Sequence, residues 1–244
     1  MSKIKYAIIG FGGIAENRLA KEGFASDSSR FQPLENAELA GVTDINPARK
    51  DAVKSLGLKW YDSAEDIFKD ANIDAVVVAT NNLTHADICK RAMLVGKHVI
   101  VEKPMATTIE NAEELVKVSK KSGISLAVDH MMTNNSYNTK AAEMVANGTL
   151  GTVNDSCFHM EFCYGATPEE AATWRCSSIA EMGGPIRDVG SHCMYLAEYI
   201  FNSKIESLAC VYLPKSLNIK VEDGAYIKFK MSNGMAGSAK MAFS

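Results

Sequence analysis

Short apolar runs alternate with longer segments of helical spacing in the first half of the chain. Tyr6–Ile9 and Asp74–Ala79 are almost uninterrupted apolar runs, which are typical of strands buried on both faces of a parallel sheet. The other strands predicted here cover residues 37–43, 59–61, 98–101 and 124–128. Helices are predicted from about Gly13, from Asn46–Pro47 to Gly57, from an N-cap at Thr84 to Gly96, and over residues 108–121. This alternation predicts an α/β fold with a doubly wound parallel sheet.

The pattern changes after Asp129. One helix is predicted over residues 136–146, and longer runs that alternate in part follow it. These predicted strands cover residues 153–163, 205–213, 225–231 and 235–243, with Asn233–Gly234 as a hairpin turn. The second half is therefore expected to be an α+β domain with a mostly antiparallel sheet, and the domain boundary is expected at about residue 125.

The composition narrows the class of protein. The chain has 244 residues, 47% hydrophobic content and a formal net charge of −3, which argues against nucleic acid as the main partner. We find no signal-type segment and no apolar stretch of bilayer length, so a cytoplasmic protein without a membrane partner is expected. The six cysteines are scattered, which favours reduced thiols over a disulfide scaffold or a zinc site.

A glycine-rich motif follows the first predicted strand and opens a helix. It fits the pattern G-x-G-x-x-[GA], and its residues are Gly10, Phe11, Gly12, Gly13, Ile14 and Ala15. In a Rossmann domain such glycines allow a tight turn and a close approach to a pyrophosphate, which binds at the helix N-terminus. Residues 1–125 are therefore predicted to be a dinucleotide-binding Rossmann domain. The alternative is a glycine-rich turn that only starts a helix.

Asp44 ends the second predicted strand, where a carboxylate can accept hydrogen bonds from ribose hydroxyls and repel a 2′-phosphate. This favours NAD over NADP as the cofactor. Its spacing from the glycines is longer than usual because Lys21–Asn36 looks like an inserted loop. Arg49 is close enough in sequence to leave NADP as a minority possibility.

Two polar segments follow predicted strands at the edge where open α/β sheets bind ligands. In the first, Asn81 and Asn82 could line the nicotinamide ribose, or Thr84 could simply cap a helix beside a solvated His85. In the second, Glu102–Lys103–Pro104, the lysine could donate to a substrate oxygen, or it could be a surface lysine at a turn.

Gly183–His192 is a third candidate segment. If Asp188 opens a helix, then Asp188 and His192 are four residues apart on one face. Histidine titrates near neutrality, so it suits proton transfer from an alcohol. The alternative is an aspartate N-cap and a packed histidine.

Together these motifs resemble the Gfo/Idh/MocA family of sugar and cyclitol oxidoreductases. The resemblance covers nearly the whole chain. It includes the glycine loop, the segment Glu102–Lys103–Pro104 and G-G-x-x-x-D-x-G-x-H at Gly183–His192. It also includes the A-T-x-N-x-x-H pattern at Ala79–His85, Gly148–Gly151 and Trp174–Arg175.

The resemblance implies an NAD(P)-dependent dehydrogenase that acts on CH-OH groups. Lys103, Asp188 and His192 would meet beside the nicotinamide as catalytic residues, with His192 as the acid and base. The implied cofactor contacts are the six loop residues together with Asp44, Thr80, Asn81, Asn82, His85, Glu102 and Lys103. The implied substrate contacts are Lys103, His130, Asn134, Tyr137, Trp174, Arg175, Asp188 and His192.

The chain departs from the family pattern in two places. The frequent Arg-Phe-x-Pro segment is replaced by Thr133–Ser136, so Asp129, His130, Asn134 and Tyr137 are expected to form a different specificity wall. The chain also ends several strands earlier than is usual, so residues 126–244 are expected to be an incomplete catalytic domain. A homo-oligomer that forms through the C-terminal sheet is expected.

Two other functions are compatible with the sequence. One is a non-catalytic NAD(P)-binding sensor of the same fold. The other is a metal-dependent enzyme that uses His159, Asp188 and His192. No metal-ligand motif supports the second function, so no metal is expected.

Overall fold

The computed structural model describes residues 3–244, and the chain divides into two compact units, of which the first ends at Asp129 and the second begins at His130. The first unit contains a six-stranded sheet with the order β3-β2-β1-β4-β5-β6. Its strands are β1 Ile4–Ile9, β2 Ala37–Thr43, β3 Lys59–Trp60, β4 Ala75–Val78, β5 His98–Glu102 and β6 Leu126–Asp129. Every pair is parallel, so the predicted doubly wound sheet is confirmed.

Alternate residues of the central strands enter two separate cores. Ile8 and Val77 are buried on one face of the sheet, whereas Ala7, Val76 and Val78 are buried on the other. All four residues of β4 are buried, as expected for a strand covered on both faces. β1 and β4 are neighbours with crossovers in opposite directions, so the topological switch point lies between their carboxyl ends.

The helices of the first unit lie between its strands. They are Ala15–Gly23 (π-type), Pro47–Arg49 and Asn82–Thr84 (both 3₁₀), Lys50–Ser55, Ala64–Lys69, His85–Leu94 and Ile109–Ser122. The first of them includes part of Lys21–Asn36, so that segment is not entirely a loop. The Thr108 side chain caps the last helix at Asn111 N–H, and Gly123 ends it in a left-handed conformation.

The second unit contains a four-stranded sheet with the order β7-β10-β9-β8. Its strands are β7 Asp155–Glu161, β8 Ile205–Tyr212, β9 Gly224–Met231 and β10 Ala236–Ala242. Two of the three pairs are antiparallel and β7 with β10 is parallel, so the prediction of a mostly antiparallel sheet is confirmed. Because β6 pairs with β5, it belongs to the first unit. The first unit therefore ends at Asp129, a few residues past the boundary expected at about residue 125.

One face of this second sheet packs against a helix, and its edge strand β8 is exposed from Glu206 to Tyr212. The helices of this unit are Met131–Asn134 (3₁₀), Ser136–Ala146, Pro168–Ala172, Trp174–Ser177, Ile186–Gly190 (π-type) and Ser191–Phe201. Cys193 and Ala197 of the last helix join a core with Ile227 and Met241 of the sheet. Of the helices in the described part of the chain, none is both long and apolar enough to cross a membrane.

Candidate functional site

The glycine loop lies at the carboxyl end of β1 and has open space on one side. Gly10 has a φ of +91°, and a Cβ there would lie 2.7 Å from Ala79 O, so only glycine fits this close approach. In contrast, a Cβ on Gly12 or Gly13 would have no atom within 4 Å. The first N–H groups of a helix have no intrahelical partner. The loop therefore has the form of an anion cradle that side chains would obstruct.

Asp44 is held against this loop. Its Oδ2 accepts a hydrogen bond from Phe11 N–H at 2.5 Å, and its Oδ1 accepts one from Asn46 N–H at 2.7 Å. Gly10 N–H also donates to Thr43 O at 2.8 Å, which connects the glycine loop to the end of β2. A carboxylate can accept about four hydrogen bonds, so these two contacts leave capacity for ribose hydroxyls. The loop and Asp44 together fit a dinucleotide.

Arg49 also contacts the loop. Its Nε–H donates to Phe11 O at 2.7 Å, and its guanidinium lies 5.6 Å from the centre of the Phe11 ring. The guanidinium forms an ion pair with Glu16, in the first turn of the helix that follows the loop. Arg49, the residue considered for NADP binding, therefore lies at the glycine loop and contacts the Glu16 carboxylate.

His85 connects two loops of the first unit. It is buried, with Nδ1 2.8 Å from Pro104 O and Nε2 3.1 Å from Thr80 O. The alternative of a solvated His85 is therefore wrong. Thr84 is at the predicted N-cap position of the helix His85–Leu94, but its hydroxyl donates to Asn81 O at 2.8 Å and makes no capping bond to the helix. The loops that follow β4 and β5 are held together through the His85 ring.

Two carboxylates lie at the ends of β5 and β6. Glu102 and Asp129 are partners in the parallel register, and Glu102 Oε2 accepts a hydrogen bond from Lys103 N–H at 3.2 Å. Burial first, and then the neighbouring Asp129 charge, raise the pKa of Glu102 to about 7. The backbone N–H of Lys103 therefore donates to the Glu102 carboxyl group, whose pKa is close to neutrality.

Asp188 forms an ion pair in the second unit. Its Oδ2 accepts a hydrogen bond from Arg175 Nε–H at 2.8 Å, and its side chain is only 5% exposed. Arg175 also lies over the Trp174 ring, 4.8 Å from its centre. Although burial would lower it, the Asp188 charge raises the pKa of Arg175, so the guanidinium keeps its charge. Asp188 does not open a helix, because it is the third residue of the π-type helix Ile186–Gly190, which continues into the helix Ser191–Phe201.

His192 belongs to an aromatic cluster. Its Nδ1 is 2.6 Å from the Tyr195 hydroxyl, and the Tyr195 ring stacks on His130 with centroids 4.2 Å apart at 11°. Tyr195 was not among the site residues predicted from the sequence. Tyr195 is three residues after His192 on a predicted helix, and this spacing indicates that the two side chains are neighbours.

Two sequence profiles identify the family. The profile described as "Oxidoreductase family, NAD-binding Rossmann fold" matches residues 4–130. The profile of the GFO/IDH/MocA C-terminal domain matches residues 138–244. The chain belongs to the Gfo/Idh/MocA oxidoreductase family.

Within the Gfo/Idh/MocA family, the chain is similar to proteins named for sugar and cyclitol chemistry. It is 28% identical over 187 residues to the 1,5-anhydro-D-fructose reductase of Ensifer adhaerens, covering 76% of this chain and 55% of that protein. It is 25% identical over 211 residues to the scyllo-inositol 2-dehydrogenase (NAD(+)) of Bacillus subtilis, covering 85% and 56%. The solved aldose-aldose oxidoreductase of Caulobacter crescentus matches with a TM-score of 0.85 at 25% identity, covering 100% and 72%. The chain spans little more than half the length of the two curated relatives.

Three further residues that the sequence singled out in this Gfo/Idh/MocA chain lie in the second unit, whereas Asn82 is buried in the first. Asn134 ends a short 3₁₀ helix, and Tyr137 is 83% exposed in the first turn of Ser136–Ala146. His159 lies on β7, 3.9 Å from Glu161. Over residues 3–244, no three His, Cys, Asp or Glu side chains are grouped so as to hold a metal ion, so His159, Asp188 and His192 do not form such a set.

Proposed function

We propose that the protein binds NAD and transfers hydride between the nicotinamide and a secondary alcohol of a sugar or cyclitol. The observation that carries this proposal is the open cradle at Gly12 and Gly13 with Asp44 held beside it. The family and the names of the relatives support an oxidoreductase with this class of substrate. When bound, the nicotinamide accepts or supplies the hydride.

The glycine loop would bind the pyrophosphate and Asp44 the adenosine ribose. NAD is proposed over NADP, because the Asp44 carboxylate would repel a 2′-phosphate. Thr80, Asn81, Asn82, Glu102 and Lys103 are proposed to line the nicotinamide side. His85 would act through the Thr80 and Pro104 carbonyls that its ring contacts.

His192 is proposed to take the hydroxyl proton during oxidation and return it during reduction. When Nδ1–H donates to the Tyr195 hydroxyl, the neutral ring carries its lone pair on Nε2, which is the atom that would act as the base. The proposed role as a base therefore requires Nδ1–H to be the donor and the Tyr195 hydroxyl the acceptor in this contact.

Lys103 and Asp188 would have electrostatic roles. The Lys103 ammonium would donate to the substrate oxygen and stabilise developing alkoxide charge. Asp188 would hold a second hydroxyl or tune the histidine, and its hydrogen bond from Arg175 holds its carboxylate in one orientation. His130, Asn134, Tyr137, Trp174 and Arg175 are proposed to contact the substrate.

We also propose self-association through the second sheet. Leu208, Val211 and Tyr212 of β8 are 57%, 65% and 64% exposed, and a strand of this kind offers an apolar surface to another copy. Light scattering on the Tyr212→Lys and unaltered proteins would test this, with a smaller particle expected for the variant.

The hydride-transfer proposal is tested by the absorbance of reduced nicotinamide while the protein is mixed with NAD or NADP and a panel of sugars and inositols. We expect turnover with NAD and a polyol. His192→Ala should lower kcat by roughly 10²- to 10⁴-fold, the usual contribution of a general acid or base. NADH affinity should not change.

His159→Ala is the matched control, because its side chain is 60% exposed on β7. It should retain the activity of the unaltered protein. Full turnover by His192→Ala would remove the proposed role of that residue. Tight NADH binding without turnover on any polyol would indicate the cofactor sensor instead.

A further inference from the structure

The main chain of Phe11 is held on both sides by residues of opposite charge. Asp44 accepts from Phe11 N–H at 2.5 Å, and Arg49 donates to Phe11 O at 2.7 Å. The adenosine ribose is expected to bind at Asp44. Because Arg49 lies on the same loop, its positive charge would favour a 2′-phosphate on that ribose. The charge of Arg49 therefore bears directly on the choice between NAD and NADP.

Glu16 neutralises that cation. Its Oε2 pairs with Arg49, and its Oε1 accepts from Lys21 Nζ at 2.7 Å. The side chains are partly buried, with exposed fractions of 19% for Glu16 and 30% for Arg49. Hydrogen bonding by Lys21, then by Arg49, lowers the pKa of Glu16 in spite of partial burial, so its carboxylate is ionised at neutral pH.

We propose that Glu16 is a cofactor-discriminating residue that holds Arg49 on the glycine loop and keeps its charge from a 2′-phosphate. Arginine binds phosphate through the same fork of N–H groups that it offers to a carboxylate. A 2′-phosphate would have to displace Glu16 from Arg49 and also overcome the Asp44 charge. This inference rests on the proposed binding of a nicotinamide dinucleotide, and it divides the rejection of NADP between two carboxylates.

The test is a fluorescence titration of the full chain with NADH and with NADPH, which requires no substrate and no turnover. Glu16→Gln should strengthen NADPH binding relative to NADH binding by about fivefold, which is the size of one partly exposed ion pair. Glu16→Ala should give the same change, and it covers the case in which the amide variant is poorly folded.

Two double variants separate the cations that Glu16 contacts. Glu16→Gln with Arg49→Ala should lose the gain in NADPH affinity, whereas Glu16→Gln with Lys21→Ala should keep it. The matched control is Glu22→Gln, because Glu22 lies on the same helix and pairs with Arg18 and Arg30. Its affinity ratio should equal that of the unaltered protein.

The outcomes distinguish the inference from the function on which it rests. If NADH binds but the ratio of NADPH to NADH affinity is the same with and without the Glu16 carboxylate, the discriminating role is overturned and cofactor binding stands. A gain that survives Arg49→Ala also overturns it. If neither nucleotide binds to any of these proteins, both proposals fail.

Discussion

Gly12 and Gly13 in the first unit and Gly183 and Gly184 in the second both precede π-type helices, but the surroundings of the two pairs differ. A Cβ on Gly12 or Gly13 would meet no atom of the chain within 4 Å. A Cβ on Gly183 would lie 2.5 Å from Trp174 O. Gly184, with a φ of +95°, would bring a Cβ into the carboxylate of Glu222.

This difference separates glycines that the fold requires from glycines that it does not. The second pair is required because neighbouring atoms of the chain occupy the space around it. Neither close packing nor a positive φ accounts for the first pair, so a ligand outside the chain is the physical reason that we infer. In the second segment the candidate chemistry lies in Asp188 and His192, which the glycines only help to place.

The largest effect is expected at Gly184. Gly184→Ala should destabilise the protein by about 2–3 kcal/mol, because a Cβ adds the cost of a left-handed backbone to the displacement of the Glu222 carboxylate, which pairs with Arg187. Urea unfolding measures this. Gly96→Ala is the matched control, since Gly96 has a φ of +84° but no atom within 4 Å of a Cβ, and it should cost about 1 kcal/mol.

Equal losses in the two variants would mean that backbone conformation alone accounts for Gly184. The contrast between packed and open glycines would then be weakened.

A second prediction compares one carboxylate from each unit. Asp188 is paired with a cation, whereas Glu102 lies beside Asp129. The folded-state pKa of Glu102 is about 7, against an ordinary value of 4.5. Between these values the native state binds more protons than the unfolded state, so this group makes stability fall as pH rises from about 4.5 to about 7. The loss is up to about 3 kcal/mol.

Glu102→Gln should remove this part of the pH dependence of stability. The free energy of unfolding, measured at pH 5 and at pH 8, checks this. The positive charge of Lys103 also faces Glu102 and acts in the opposite direction, because it lowers the pKa of Glu102. Glu113→Gln is the control, because its side chain is 64% exposed. An unchanged pH dependence in Glu102→Gln would show that Glu102 is ionised throughout.

The smallest effect is expected at Tyr195. Tyr195→Phe removes the hydroxyl that contacts His192 Nδ1 but keeps the ring stacked on His130. One such hydrogen bond is worth about 1 kcal/mol, so kcat should fall about fivefold and its pH profile should shift, with KM and NADH affinity unchanged. Tyr199→Phe on the same helix is the control. An unaltered kcat and pH profile would show that Tyr195 does not position the histidine.

The sequence predicted the strands of the first sheet well, because buried parallel strands are apolar and their ends are marked by glycine and polar residues. It missed the short helix Ala64–Lys69, although Ser63 and Asp66 form a recognisable cap.

Contacts within the site were harder to predict. The pairing of Arg175 with Asp188 joins side chains 13 residues apart on separate elements, and no local periodicity encodes such a contact. The burial of His85 depends on Pro104 O, which belongs to another loop.

The central claim is that Gly12 and Gly13 leave space for a dinucleotide. The most direct test is an NADH titration of Gly12→Val together with its urea unfolding curve. Gly12 lacks a left-handed φ and its Cβ site is open, so stability should change by less than about 0.5 kcal/mol, while NADH affinity should fall at least tenfold. Unchanged NADH affinity in the variant, or no NADH binding by the unaltered protein, would contradict the account.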